Sequence, residues 1–249
     1  LAAGQDGPAE IEHAGERIDL ATLVQRSRLP RPESVHGLPP QSVANALVPL
    51  PHREYSIASL PQDGSLQLLV RQMRHADGRL GSGSGWLTEH APIGTTIDLR
   101  IRRNIAFHPP RDDRSMILIG NGTGLAGLRA HLKARALEGH RRNWLVFGER
   151  QREHDFHHHD EIEGWFRSGH LQHLDLAFSR DGAQRVYVQD VLRERTERLR
   201  DWIADGAAVY VCGSLEGMAP AVEAVLRDLI GLDALEAMTA EGRYCRDVY

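Results

Sequence analysis

Lysine is almost missing from this chain. One residue, Lys133, stands in 249, and arginine supplies the rest of the 30 basic side chains. Wherever an anion is to be held, arginine must hold it. Cysteine is as scarce: Cys212 and Cys245 are too few for a disulfide framework, and no zinc-ligand spacing occurs, so no metal site is expected. No apolar run reaches the length of a membrane span and no signal peptide is visible. A reducing, cytoplasmic setting suits such a chain. Its first residue is Leu1 rather than methionine, which leaves room for a preceding segment or anchor. A formal net charge of −4 gives no general basic field, which argues against nucleic acid as a partner.

The length suits one large domain or two small ones. Residues 1–50 are weakly patterned, and Pro30, Pro32, Pro39, Pro40, Pro49 and Pro51 forbid long elements there. Short helices are expected over IDLATLVQRSRLP and LPPQSVANALVPLPH. From Glu54 to Arg103 the runs REYSIAS, SLQLLVRQMR and TTIDLRIRR alternate or are β-rich, and Gly/Pro turns separate them. They predict a small antiparallel barrel or sandwich. After FHPPRDD, apolar strands alternate with helices: SMILIG, NWLVFG, LDLAFS and AVYVCG are the strands. That rhythm predicts a parallel sheet covered on both faces. The expected division is 1–110 for the β domain and 111–249 for a doubly wound, five-stranded α/β domain. Trp86, Trp144 and Trp165 read as packing residues.

Two clusters carry chemistry. Gly122, Gly124 and Gly127 satisfy G-x-G-x-x-G between a strand and a helix, a turn whose N–H groups cradle phosphate. Glu149, after the next strand, would then be the ribose ligand of a plain NAD site. The loop AFSRDGAQRVYVQD argues otherwise. Ser179, Arg180, Arg185, Tyr187 and Gln189 follow a parallel strand, where ligands of open sheets sit, and suit a 2′-phosphate and an adenine. A solvated loop is the plain alternative. The run EHDFHHHDE is no metal site, because consecutive helical residues point about 100° apart; a solvated helix start is expected.

R-x-Y-S, formed by Arg53, Tyr55 and Ser56, opens a series of ordered motifs. REYSIAS, GSGSGWL, GTGLAGLRA, WLVFGER, AFSRD, VYVQD, VYVCGS and RYCRDVY all follow from Pro49 to Tyr249. With these the chain resembles the ferredoxin–NADP reductase superfamily, most closely the reductase half of diflavin enzymes. The resemblance implies an N-terminal FAD-binding barrel, here lacking its first strands, and an NADP(H) domain. It implies that Arg53 meets the FAD pyrophosphate, Tyr55 stacks on the isoalloxazine and Ser56 lies near its reactive nitrogen. Gly83, Ser84 and Gly85 resemble a second pyrophosphate loop, and Gly122, Thr123 and Gly124 the NADPH pyrophosphate turn. Ser179, Arg180, Arg185, Tyr187 and Gln189 resemble the 2′-phosphate and adenosine pocket, with Arg185 in place of the usual lysine. NADP(H) is then expected over NAD(H), and Glu149 is not a ribose ligand.

The ending GRYCRDVY acquires a meaning from the same resemblance. Tyr249 is expected to shield the flavin face, and Asp247, Cys212 and Ser56 to form the polar group along the hydride path. Gly127 and Leu128 depart from the family, which has a proline and an aromatic there. The implied activity is hydride transfer from NADPH to FAD, with electrons passed on to an FMN domain upstream, a haem or an iron–sulfur protein. A stand-alone NADPH:ferredoxin or flavodoxin reductase is the alternative, as is a dinucleotide-binding module without flavin.

Overall fold

Prolines and a tight hairpin set the character of the first fifty residues. The computed structural model describes residues 10–249 and comprises two compact units, one ending at Glu54 and one spanning Tyr55–Tyr249. In the first, β1 (Glu10–His13) and β2 (Glu16–Asp19) pair antiparallel. Ala14 and Gly15 turn between them with φ of 52° and 83°, the two positive values a type I′ turn needs. Asp19 caps α1 (Leu20–Gln25), accepting from the Thr22 N–H at 3.1 Å. The short elements β3 (Ser27–Arg28), α2 (Pro32–Val35), α3 (Pro40–Ala46) and β4 (Val48–Pro49) follow. Ile11, Leu23, Ala44 and Leu47 form their small core.

The second unit begins differently from what its alternating runs suggest. Among the described residues, 55–113 form two isolated bridges, Ile57 with Leu68 and Arg74 with Leu80, rather than continuous strands. One short helix, α4 (Ser82–Gly85), and single helical turns complete the stretch. Alternation becomes a strand only when the backbone finds a partner. Here Leu99, Ile101 and Ile105 stand exposed. Trp86, expected to pack inside, is also exposed, whereas Trp144 is fully buried.

From Met116 onward the expected rhythm appears. The elements are β5 (Met116–Asn121), α5 (Leu125–Leu137), β6 (Asn143–Glu149), α6 (Arg152–Asp155), α7 (His159–Arg167) and β7 (His173–Phe178). Then come α8 (Val188–Glu194), α9 (Thr196–Ala204), β8 (Ala208–Gly213), α10 (Met218–Ile230), α11 (Leu232–Ala240) and β9 (Tyr244–Val248). The five strands run parallel in the order β7-β6-β5-β8-β9. Their residues alternate between two cores, as a pleated strand requires. Ile117 and Ile119 join Trp144, Val191 and Val222 on one face, and Met116 and Leu118 join Leu128, Leu132 and Phe147 on the other. The fifth strand is the chain's own ending, which the sequence does not announce as a strand.

The order reverses direction between β5 and β8. At that switch the crossovers leave to opposite sides and open a crevice at the strand ends, where ligands of such sheets bind. One contact cluster ties residues 104–108 to this domain: Phe107, His131 and Tyr210 pack ring to ring at 5.0–5.3 Å, and the Tyr210 hydroxyl donates to the His108 carbonyl at 2.5 Å. Burial lowers the pKa of His131 to about 4. Unfolded, that ring takes a proton as pH falls through its ordinary 6.5; folded, it does not until about 4. Stability contributed by the neutral ring is therefore complete above pH 6.5 and falls between pH 6.5 and 4, by about 3 kcal/mol at the lower end. Urea unfolding across that window should show a shallower pH slope in His131→Phe than in the wild type; equal slopes would mean that His131 is not held neutral.

Candidate functional site

The crevice is built by close backbone approach at the strand ends. A Cβ on Gly124 would stand 2.1 Å from the Cys212 carbonyl oxygen, so only glycine lets the turn after β5 lie against β8. Gly122 has φ 58°, the left-handed region that glycine enters freely. Asn121 ties the two strand ends together, its side-chain oxygen accepting from the Ser214 N–H at 2.9 Å. The turn Gly122–Thr123–Gly124 leads directly into the 13-residue α5, an arrangement suited to phosphate.

Pairing of β9 with β8 sets Asp247 opposite Cys212. Asp247 collects three neighbours. Its Oδ2 accepts from the Ser56 hydroxyl at 3.0 Å and lies 3.9 Å from Cys212 Sγ, and its Oδ1 accepts from Asn104 Nδ2 at 3.1 Å. Ser56, Cys212 and Asp247, separated by up to 191 positions, thus meet in space. Cys212 is wholly buried, and burial together with the Asp247 charge drives its pKa far above the usual thiol range. It stays a thiol. Gly127 faces the same group: a Cβ there would lie 3.4–3.9 Å from Phe107, Cys212 Sγ and Ser56, ordinary contact that an alanine fills without strain.

The backbone two residues after Ser56 is held by α5. Arg129 on that helix donates to the Ala58 carbonyl at 2.5 Å and to Gln67 Oε1 at 2.9 Å, and it pairs with Glu161. The Ala58 N–H in turn donates to the Gln67 carbonyl at 2.8 Å. Tyr55 lies beside Ser56, half-buried. Arg53 is exposed in the first unit. Ser84 is buried in α4 between Gly83 and Gly85, and its hydroxyl accepts from the Met73 N–H at 2.9 Å. Its proton remains available to an acceptor.

Tyr249 follows β9 directly. Its N–H donates to the Gly213 carbonyl and its carbonyl accepts from the Leu215 N–H, each at 3.0 Å. The side chain reaches back to the phosphate turn, where its hydroxyl donates to Thr123 Oγ1 at 3.2 Å. Although the residue is 57% exposed, partial removal of that hydroxyl from water pushes its pKa up to about 12. The ring therefore spans from the Asp247 group to the phosphate turn.

The second cluster adjoins the turn through β6. Ser179 donates from its N–H to the Glu149 carbonyl at 2.9 Å, and the Arg180 N–H donates to the Arg150 carbonyl at 2.8 Å. Arg180 and Arg185 are exposed, and neither has a carboxylate partner among the described residues. Tyr187 is exposed, and Gln189 buries an Oε1 that has no hydrogen-bond partner. Glu149 is paired with Arg71, a partner 78 positions away. Arg71 and Asn104 belong to none of the sequence motifs, and only folding brings them here; Asn121 directly precedes the turn, and folding supplies its bond to Ser214. In the histidine run, His159 and Asp160 open α7 on the surface, and among the described residues no group of three or more His, Cys, Asp or Glu is placed to hold a metal.

Fold and crevice together make an open α/β domain whose glycine turn, at the switch point of the sheet, is suited to a phosphate. Residues 118–224 match the oxidoreductase NAD-binding domain family. Over most of its length the chain is similar to the "Sulfite reductase [NADPH] flavoprotein alpha-component" of several bacteria. The identity is 36% over 226 residues for Neisseria meningitidis, which covers 84% of this chain and 37% of that protein. For Pectobacterium atrosepticum it is 36% over 261 residues, 98% of this chain and 42% of that protein. For Yersinia pestis it is 39% over 220 residues, 82% and 36%. The resemblance carried by the ordered motifs is thereby shown. Across these three relatives the chain spans 36% to 42% of their length.

The two thiols give a direct check on the geometry. Cys245 is half-buried and donates to the Gly242 carbonyl at 3.4 Å, whereas Cys212 is enclosed behind Ser56 and Asp247. Iodoacetamide at pH 8, followed by mass spectrometry, should label Cys245 first and leave Cys212 largely unmodified. Burial raises the Cys212 pKa most and the Asp247 charge adds to it, so Asp247→Asn should speed its labelling. Equal labelling of both thiols in the native protein would contradict the enclosure.

Proposed function

We propose that the chain is the reductase module of an NADPH-dependent flavin oxidoreductase of the sulfite reductase flavoprotein kind. It takes hydride from NADPH through FAD and delivers electrons to an FMN domain, a haem or an iron–sulfur partner. The observation that carries this reading is the pair of exposed arginines without carboxylate partners, Arg180 and Arg185. They stand on a loop whose backbone is bonded to the end of β6 beside the phosphate turn. Arginine forks suit a 2′-phosphate, and Tyr187 and Gln189 suit an adenosine. NADP(H) then lies across the switch point, its pyrophosphate on Gly122, Thr123 and Gly124.

The residues before the parallel sheet fit a flavin. Leu68, Met73, Trp86, Ile97, Leu99 and Ile101 present exposed apolar surface, of the kind that a flat ring system and further barrel strands bury. Gly83–Gly85 with the Ser84 proton would hold its pyrophosphate, and Tyr55 its ring; for Arg53, in the first unit, the pyrophosphate role comes from the family resemblance. FAD, when bound, takes two electrons as hydride and releases them singly. We assign residues 1–110 to this FAD domain and 111–249 to the NADP(H) domain. Two free cysteines suit a reducing cytoplasmic compartment.

The chain's own groups then divide the work. Asp247 places a carboxylate where the nicotinamide ring becomes cationic, and so stabilises the product side of hydride loss. Ser56 and Asn104 hold that carboxylate in position, one hydrogen bond to each oxygen. Cys212, kept protonated, offers a soft neutral wall rather than a nucleophile. Tyr249 covers the site with an apolar ring, excluding water until a nicotinamide displaces it.

Flavin absorption of the purified protein, with steady-state rates on NADPH and NADH, tests the reading. A charge-assisted phosphate contact is worth about 1.5–3 kcal/mol, so Arg180→Ala should raise KM for NADPH by about ten- to a hundredfold and leave NADH nearly unchanged. Tyr249→Ala should improve NADH-supported reduction relative to NADPH, because NADH lacks the contacts that offset displacing the ring. Equal losses for both dinucleotides in Arg180→Ala would overturn the 2′-phosphate assignment.

A further inference from the structure

Asp181 sets a problem in the arginine loop. It follows Arg180 directly and is exposed, so a carboxylate stands in the loop read as the seat of a 2′-phosphate. A free acid there would repel that phosphate. Asp181 is not free. Its Oδ2 accepts from the Arg152 N–H at 2.9 Å, across 29 positions. Arg152 is the first residue of α6, and its N–H is one of the donors that a helix start leaves without an internal partner. Gln151, just before it, forms no side-chain cap. Asp181 supplies the cap from another loop. Among the described residues, the loop 180–186 makes its only side-chain hydrogen bond here. The anchor point is itself fixed. The Arg152 guanidinium lies 5.6 Å from the ring centres of both Phe156 and Phe178, and its Nη2 donates to Glu163 Oε1 at 2.7 Å. Phe178 ends β7, just ahead of the loop. The path from Phe178 through Arg180 to Asp181, and back through Arg152, closes on itself.

We infer that Asp181 is a positioning residue for the choice of dinucleotide: by anchoring the loop to the start of α6, it presets Arg180 for a 2′-phosphate. This rests on the reading of Arg180 and Arg185 as the 2′-phosphate pair and adds the residue that places them. A loop fixed before its ligand arrives loses less freedom on binding, so part of the preference for NADP(H) resides in this bond. NAD(H) lacks the 2′-phosphate, and its binding does not draw on the loop. The two effects of the acid oppose each other and are separable. As an anchor Asp181 strengthens phosphate binding; as a bare charge it would weaken it.

Calorimetric titration of the full chain with NADP⁺, NAD⁺ and adenosine 2′-monophosphate tests the assignment, with unfolding curves recorded for each variant. Asp181→Ala should weaken NADP⁺ and adenosine 2′-monophosphate by about five- to tenfold and leave NAD⁺ within about twofold. Asp181→Asn keeps an acceptor oxygen without the charge and should stay within about twofold of the wild type for all three. Arg152→Pro tests the same bond from its other side. Proline suits the first helical position, and the extended Gln151 before it accommodates the ring, but the N–H is lost. This variant should bind adenosine 2′-monophosphate about five- to tenfold more weakly than Arg152→Ala, and adding Asp181→Ala should weaken it no further. Affinity for adenosine 2′-monophosphate unchanged or tightened in Asp181→Ala, or a loss shared equally by NAD⁺, would overturn the role of Asp181. Failure of the wild type to bind either NADP⁺ or adenosine 2′-monophosphate would instead overturn the 2′-phosphate reading on which it rests.

Discussion

The ladder between β8 and β9 is the constraint on which the site depends. Parallel pairing puts Asp247 beside Cys212 and Val248 beside Gly213, and the two Tyr249 backbone bonds extend the ladder past the strand end. A one-residue slip would turn Asp247 to the other face of the sheet and take it from Ser56 and Asn104. The terminal residues are therefore sheet, not a loose tail. On the proposed reading, uncovering the crevice falls to the Tyr249 side chain. Its rotation breaks the hydroxyl bond to Thr123, an exposed contact worth on the order of 1 kcal/mol, and leaves the backbone ladder intact.

Around this ladder, charge is arranged by depth. The two carboxylates nearest the phosphate turn, Asp247 and Glu149, are each engaged by neighbours: hydroxyl and amide for one, a guanidinium for the other. Arg180 and Arg185, which lack carboxylate partners, stand farther out on the exposed loop after β7. Inner groups are thus spent on holding geometry, while outer groups keep their full attraction for an anion. On the proposed reading, such an order favours preorganisation over affinity near the chemistry and affinity over rigidity at the rim.

Much of this was legible in the sequence where physics is local. The apolar strands β5, β6, β7 and β8 announce themselves by composition, and the glycines of the turn by spacing. Other features were not. β9 reads YCRDV, an edge strand with a neighbour on one side, and its mixed polarity hides it among motif residues. The alternating runs between Glu54 and Arg103 predicted strands; among the described residues two isolated bridges form there, because alternation does not supply a partner. Arg71, Asn104 and Asn121 reach the site across 78, 143 and 93 positions, and no spacing rule encodes such contacts. The ordered motifs located the crevice; the pairing of distant strands decided which side chains finish it.

Backbone amide spectra of ¹⁵N-labelled protein during titration with NADP⁺ test the central claim most directly: phosphate turn, arginine loop and terminal strand form one dinucleotide site. The account predicts shifts that saturate together at Gly122, Thr123 and Gly124, at Ser179 and Arg180, and at Asp247 and Tyr249. Titration with NAD⁺ should move the first and third groups and largely spare the second. Shifts confined to one group, with Asp247 and Tyr249 unmoved at saturation, would contradict it.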